Sequence, residues 1–373
     1  MKDKGNDFSF FRNLYEEYKT FGKEFLEKNY KYWIGSNRIS KKKDEIEKIF
    51  LSYRLKPFFT FLDIFRNLYY SKDIFEVIKK NNEDVWFGLD ILSFLLEKNL
   101  IEIKSGKIFF RENFDNFFIK PMSEFEVARK LKYYIKRKIN LEKPLLFNID
   151  PSSKYKWKAR YDQVPMTTKS AISVLSKISY YFPVRANFAF VGDDDFLSIP
   201  FRMIFNAPTF SMDIDKELLS EVERLSKKMQ LEVFTLSVDV RKEKIMKDFY
   251  GFYTNPPYNL QGSIKFLSFG TNLLSDEGGI AFLALGDDAI GKRIIHLQRE
   301  ISNKGYSIKE VVPSMISYKF YLHHKEDVMI LRKMEDVGIN IKNKEVLFAS
   351  LYVLEYFGTP INYKIRSDIY CYV

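Results

Sequence analysis

Asn255-Pro256-Pro257-Tyr258 stands directly after the apolar run FYGFYT. Two consecutive prolines remove two N–H donors and hold the chain extended, so backbone carbonyls and the Asn255 side chain can face a ligand. An amine nitrogen that donates to the Asn255 oxygen and the Pro256 carbonyl keeps its lone pair aimed at an activated carbon, such as one bonded to a sulfonium, for in-line attack. Tyr258 then offers a ring to stack on a flat or cationic substrate. The plain alternative for these four residues is a proline-stiffened turn.

Carboxylates recur at the ends of the other apolar runs. NFAFV ends in Gly192-Asp193-Asp194-Asp195, TFSM in Asp213 and Asp215, LEVFTLSV in Asp239, and GGIAFLALG in Asp287-Asp288. Asp213 follows Gly192 by 21 residues, the separation at which a carboxylate closing a second strand accepts from ribose hydroxyls. Asp239 is then placed to accept from the exocyclic amine of an adenine. Each has the ordinary reading of an acidic strand end, but their agreement in a chain of net charge +11 favours a ligand.

The runs that carry these residues alternate with helical stretches such as LLSEVERLSKKM. That pattern predicts an α/β domain built on a mostly parallel sheet, with its ligand crevice at the carboxyl ends of the strands. The five runs are its first five strands, and IKEVVPS (308–314) and DVMILRK (327–333) are expected to complete seven. Residues after Lys333 receive no assignment.

Upstream, helical spacing runs from Pro57 to Tyr70, Ser71 can cap a second short helix through Lys80, and a third stretch covers Asp84 to Leu100. IEIK and KIFF alternate about Ser105-Gly106 as a tight hairpin does. Three helices and a hairpin predict a winged-helix-like α+β domain over residues 1–140, ahead of a Rossmann-like domain over 141–373. The basic amphipathic segment Glu124 to Lys138 leads into a linker containing Pro144 and Pro151. The third helix, VWFGLDILSFLLEKNL, is poor in Arg, Asn and Gln for reading bases. A homodimer through the N-terminal domain is therefore expected ahead of nucleic-acid binding.

With 373 residues, 46% of them hydrophobic, the chain has material for a sizeable core and two domains. Sixty Lys and Arg against 49 Asp and Glu suit contact with nucleic acid or, equally, the lysine-rich surface of a thermophile protein. A single cysteine, Cys371, excludes an internal disulfide, and three histidines, His296, His323 and His324, make a metal unexpected. No run approaches the ~20 uncharged apolar residues of a membrane span, so cytoplasmic residence is expected.

With NPPY after the fourth strand, the domain resembles the class I S-adenosylmethionine-dependent methyltransferases that modify amino groups of adenine or cytosine. Those enzymes close their first strand with a glycine-rich loop, whereas VGDDDFLS has one glycine and three aspartates. That run, with NPPY, the upstream Tyr161-Asp162-Gln163 and the winged-helix-like front, resembles the branched-chain polyamine synthase family, N4-bis(aminopropyl)spermidine synthase. The resemblance implies a Rossmann-like class I methyltransferase fold and decarboxylated S-adenosylmethionine as co-substrate. It implies transfer of the aminopropyl group to the secondary amine (N4) of spermidine.

Under that resemblance Gly192, Asp193, Asp213, Asp239 and Asn255 hold the donor. The run Asp193, Asp194, Asp195 supplies the proton acceptor, with Asn255, Pro256 and Tyr258 at the reacting nitrogen. Tyr161, Asp162, Gln163, Tyr258, Asp287 and Asp288 bind the polyamine. The decarboxylated donor ends in an ammonium without a carboxylate, so nearby aspartates attract it and repel the ordinary methionine moiety. The family's motif has Asp where residue 255 is Asn, and a neutral amide suits the neutral amine of a base. The alternatives are an N6-adenine or N4-cytosine methyltransferase acting on DNA or RNA, with the base flipped toward Tyr258, and a winged-helix DNA-binding regulator with a sensor domain.

Overall fold

The computed structural model describes residues 8–33, 57–76, 85–139, 155–158, 161, 163–242, 248–319, 325–341 and 344–358. Two compact units divide between Lys120 and Pro121.

In the first unit α1 (Ser9–Trp33), α2 (Phe58–Ser71) and α3 (Val85–Glu97) share an aromatic core. Phe11, Tyr18, Phe61, Phe65 and Phe94 are buried, and the rings of Phe11 and Phe117 stack at 4.1 Å. α1 was not anticipated, although Phe11, Leu14 and Tyr18 follow the three-and-four spacing of a buried helical stripe. β1 (Ile101–Lys104) and β2 (Lys107–Phe110) form the expected antiparallel hairpin. Its turn residues Ser105 and Gly106 both have positive φ, 51° and 74°, which matches the strand twist. The helix expected after Ser71 lies largely outside the described residues, so the described part is three helices and a hairpin, and the expected winged helix is not tested.

The second unit begins with α4 (Glu124–Ile139) and α5 (Thr168–Tyr181). Met122, just before α4, donates its N–H to Ser179 Oγ and accepts from Ser176 Oγ, so the basic segment expected ahead of residue 140 folds with this unit. Next come β3 (Phe188–Val191), α6 (Ser198–Phe205), β4 (Thr209–Asp213), α7 (Lys216–Lys228), β5 (Phe234–Ser237), β6 (Gly251–Thr254) and α8 (Leu260–Leu273). β7 (Gly279–Leu285), α9 (Asp287–Ile290), α10 (Ile294–Asn303), β8 (Tyr306–Lys319), α11 (Lys325–Asp336) and β9 (Glu345–Tyr356) complete it.

The seven strands form one sheet in the order β5-β4-β3-β6-β7-β9-β8. β3 to β7 run parallel, and β9 is antiparallel to both β7 and β8. Strand order reverses between β3 and β6, which places the crevice at their carboxyl ends. β3, β6 and β7 are buried along their whole length, as apolar strands covered on both faces require.

One expectation is corrected. DVMILRK lies inside α11, and the seventh strand is β9. A short apolar run fits either period. Val328, Met329 and Ile330 stay exposed, while Ala349 to Tyr356 is continuously buried between two strands. IKEVVPS does lie in β8. Pro313, which has no N–H, falls in a register shift between Val312 and Ile316 where Ser314 has φ 51°.

Candidate active site

At the end of β3 the backbone turns at Gly192, whose φ is +74° and whose N–H donates to the Met212 carbonyl. A Cβ there would stand 3.0 Å from the Phe266 ring, so the position needs glycine for both conformation and space. The three aspartates that follow are all buried and have separate duties. Asp193 accepts from Ser198 Oγ (2.5 Å), Ser198 N (3.3 Å) and Ser211 Oγ (2.8 Å), tying β3 to the first turn of α6 and to β4. Asp195 accepts from Met166 N (2.7 Å) and Asn255 Nδ2 (3.3 Å). Asp194 lines a cavity; its carboxylate accepts from the Val164 N–H, and its backbone carbonyl accepts from Trp157 Nε1 at 3.1 Å.

Three neighbouring carboxylates in a buried place resist ionisation. Burial pushes Asp193 and Asp195 up to about 7. Burial, then the charges of Asp195, Asp213 and Asp193, pushes Asp194 well above the usual carboxylate range.

Asn255 joins this group at the end of β6. Its Nδ2 faces Asp195, and its Oδ1 accepts from the Tyr258 hydroxyl at 3.1 Å. The Tyr258 and Tyr318 hydroxyl oxygens are hydrogen-bonded at 2.7 Å, so β8 reaches the loop after β6 through its own tyrosine. Tyr253, two residues before Asn255, buries a hydroxyl that has no partner among the described residues.

The cavity has a volume of about 790 Å³. Its wall brings together Gly192, Asp194, Asp213, Asp239, Asn255, Tyr161 and Gln163, with apolar surface from Met212, Ile214, Val238, Val240 and Phe266. Carboxylates from three strand ends, the basic Arg241 and Lys265, and the apolar side chains give the chamber both polar and apolar surface for an organic ligand. Asp213 accepts from Asp215 N at 2.7 Å, and burial pushes it up to about 6. Asp239 faces the same space but is held by Arg241, at 2.8 Å from Nε and 2.7 Å from Nη2.

Other predicted residues take different positions. Asp287 accepts from Ser350 Oγ (2.5 Å) and Tyr352 (3.0 Å), and Asp288 is exposed; neither is on the cavity wall. Asp193, Asp195, Pro256 and Tyr258 are not among the residues that line it. Asp162 lies outside the described residues. Sequence reasoning missed the strap Tyr155–Lys158: the Tyr155 hydroxyl lies 2.6 Å from Gln163 Oε1 and 3.1 Å from Asp215 Oδ2, with one proton for the two acceptors, and Lys158 pairs with Asp215 at 2.8 Å. Its signal was a density of aromatic and basic residues just ahead of Tyr161. Ser198, Ser211 and Tyr318 carried no signal, because isolated serines and tyrosines are common.

The strand order, with one antiparallel strand next to the edge, is that of Rossmann-like class I methyltransferases. A solved structure with a TM-score of 0.50 is the C9 mutein of branched-chain polyamine synthase from Thermus thermophilus, in complex with N4-aminopropylspermidine and 5′-methylthioadenosine. It is 16% identical, over 82% of this chain and 90% of that one. The T. thermophilus synthase itself, with the same two ligands, is 15% identical over 86% and 94%, at a TM-score of 0.49. An uncharacterized protein of Methanocaldococcus jannaschii is 30% identical over 167 residues, 43% of this chain and 42% of that protein, so the match spans less than half of the relative's length. Residues 152–359, more than half of the chain, match the branched-chain polyamine synthase A C-terminal domain. The described β3 to β9 lie within that span, and the chain belongs to the branched-chain polyamine synthase family.

Proposed function

We propose that this chain transfers the aminopropyl group of decarboxylated S-adenosylmethionine to the secondary amine (N4) of spermidine. The observation that carries this reading is the buried trio Asp193, Asp194 and Asp195, which has no lysine or arginine partner among the described residues. Such a group calls for a cation from outside, and both proposed substrates end in ammonium groups.

In this reading Asp213 holds the ribose, and Phe266, Val238 and Val240, which line the same cavity, hold the adenine. Asp194 attracts the donor's ammonium and repels the carboxylate that S-adenosylmethionine keeps. The donor supplies a sulfonium-activated carbon: the nitrogen lone pair forms the N–C bond as the C–S bond breaks, leaving 5′-methylthioadenosine. The proton of the alkylated nitrogen passes to a carboxylate, and Asp194 is the member of the trio on the cavity wall. Asn255 is compatible with this chemistry, because an aspartate there would set a fourth carboxylate against Asp195, whereas the amide donates to it.

Calorimetric titration with S-adenosylmethionine and with its decarboxylated form, each with and without spermidine, tests the reading. Preference for the decarboxylated donor, with mass spectrometry showing added aminopropyl groups, supports it. Preference for S-adenosylmethionine, with methyl transfer to a nucleic-acid amine, refutes it.

A further inference from the structure

Gly286 ends β7 where α9 begins, and the ring of Tyr258 lies against it. A Cβ at residue 286 would stand 2.5 Å from Tyr258 Cδ2, 2.8 Å from Cγ and 3.1 Å from Cε2. The backbone there has φ −81° and ψ 82°, which ordinary L residues adopt. The missing side chain therefore answers to the tyrosine ring and not to conformation.

The backbone has no room to retreat. Leu285 is paired with Ser350 of β9, and the Gly286 carbonyl accepts from Ile290 N at 3.0 Å. The next residue, Asp287, is tied to β9 through Ser350 and Tyr352. A side chain at 286 displaces the ring instead. A shift of about 1 Å is enough to break hydrogen bonds of this length, here the one from the Tyr258 hydroxyl to Asn255 Oδ1 (3.1 Å) and the one between the Tyr258 and Tyr318 hydroxyls (2.7 Å). Asn255 then loses the contact that fixes which end of its carboxamide faces Asp195.

Resting on the aminopropyl-transfer reading, we propose that Gly286 is a positioning residue for the reaction. It seats Tyr258, and the Tyr258 hydroxyl holds Asn255 in register between Asp195 and the cavity. Gly286 touches no substrate in this scheme, since it is not on the cavity wall.

The test is a double-mutant cycle of Gly286→Ala and Tyr258→Ala on kcat, with the Kd of 5′-methylthioadenosine as control. Gly286→Ala is expected to lower kcat about tenfold, to leave that Kd within about twofold, and to add nothing in the Tyr258→Ala background, where the ring that would clash is gone. Losses that multiply, or a fully active Gly286→Ala, overturn the proposal. Tyr258→Phe keeps the ring and removes only the hydroxyl, so it reads the same chain of bonds should Gly286→Ala fold poorly; a fully active Tyr258→Phe also overturns it. A wild-type chain inactive with these substrates fails both readings, whereas an active one with multiplying losses removes only the role of Gly286.

Discussion

Asp193, Asp194 and Asp195 leave β3 at the same sheet edge at which Asp215 follows β4 and Asp239 follows β5, yet the two sets have opposite electrostatics. The first are buried, hydrogen-bonded to serines, backbone and an amide, and shifted upward. Asp239 is held far below the usual carboxylate range by the Arg241 side chain and backbone N–H. Asp215 is also lowered, because Lys158 and Tyr155 outweigh its burial. An aspartate paired with its own cation is finished structure, whereas one that is buried without a cation is poised for a charge brought by a ligand.

Removing Asp194 should have the largest effect. Asp194→Asn keeps the shape of the wall and removes the charge, and should lower aminopropyl turnover by a factor of about 10² to 10⁴. Asp239→Asn should instead raise the donor's KM with kcat near wild type. Equal losses of kcat from both would show that the comparison has no functional content.

Asp215 sharpens the structural side. It accepts from Glu217 N at the start of α7 and from Lys158. Asp215→Ala should destabilise the fold by about 1–2 kcal/mol in denaturant titrations, through the lost helix cap and one of the two ion pairs of Lys158. A neutral result would mean that the strap Tyr155–Lys158 does not depend on it.

Next in size is an effect of pH. Asp193 and Asp195 take up protons near pH 7 when folded and near the ordinary carboxylate range when unfolded. The folded chain holds the extra protons between those limits, so this contribution to stability is lost as pH rises from about 4 to 7. A polycation offsets the buried negative charge only after those protons leave. Spermidine should therefore raise Tm more at pH 8 than at pH 5, and equal shifts would separate the trio from cation binding.

The smallest change is expected from Arg241→Ala. Its pair with Asp239 is exposed, so Tm should move by no more than about 1 °C, and the Kd of 5′-methylthioadenosine by less than about threefold. A large loss of affinity would make Arg241 a ligand-binding residue in its own right.

The sequence by itself determined the elements whose pattern is local. Ile101 to Phe110 alternates about a Ser-Gly turn and forms the hairpin. The apolar run Gly279–Leu285 is a strand buried on both faces, and Asn255 to Tyr258 ends its neighbour. The spacing of Gly192, Asp213 and Asp239 put all three on one cavity wall.

Tertiary structure decided what each carboxylate does. Asp193 and Asp194 are adjacent and identical in type, but Ser198 and Ser211 claim the first, while the second lines the cavity. Asp287 likewise resembles a ligand residue until β9 supplies Ser350 and Tyr352. DVMILRK was ambiguous for a related reason: a short apolar run becomes helix or strand according to what covers it, and β9 took the buried place. Ser211, Ser350 and Tyr352 reach their aspartates from other strands of the sheet, where pattern and spacing along one run do not report.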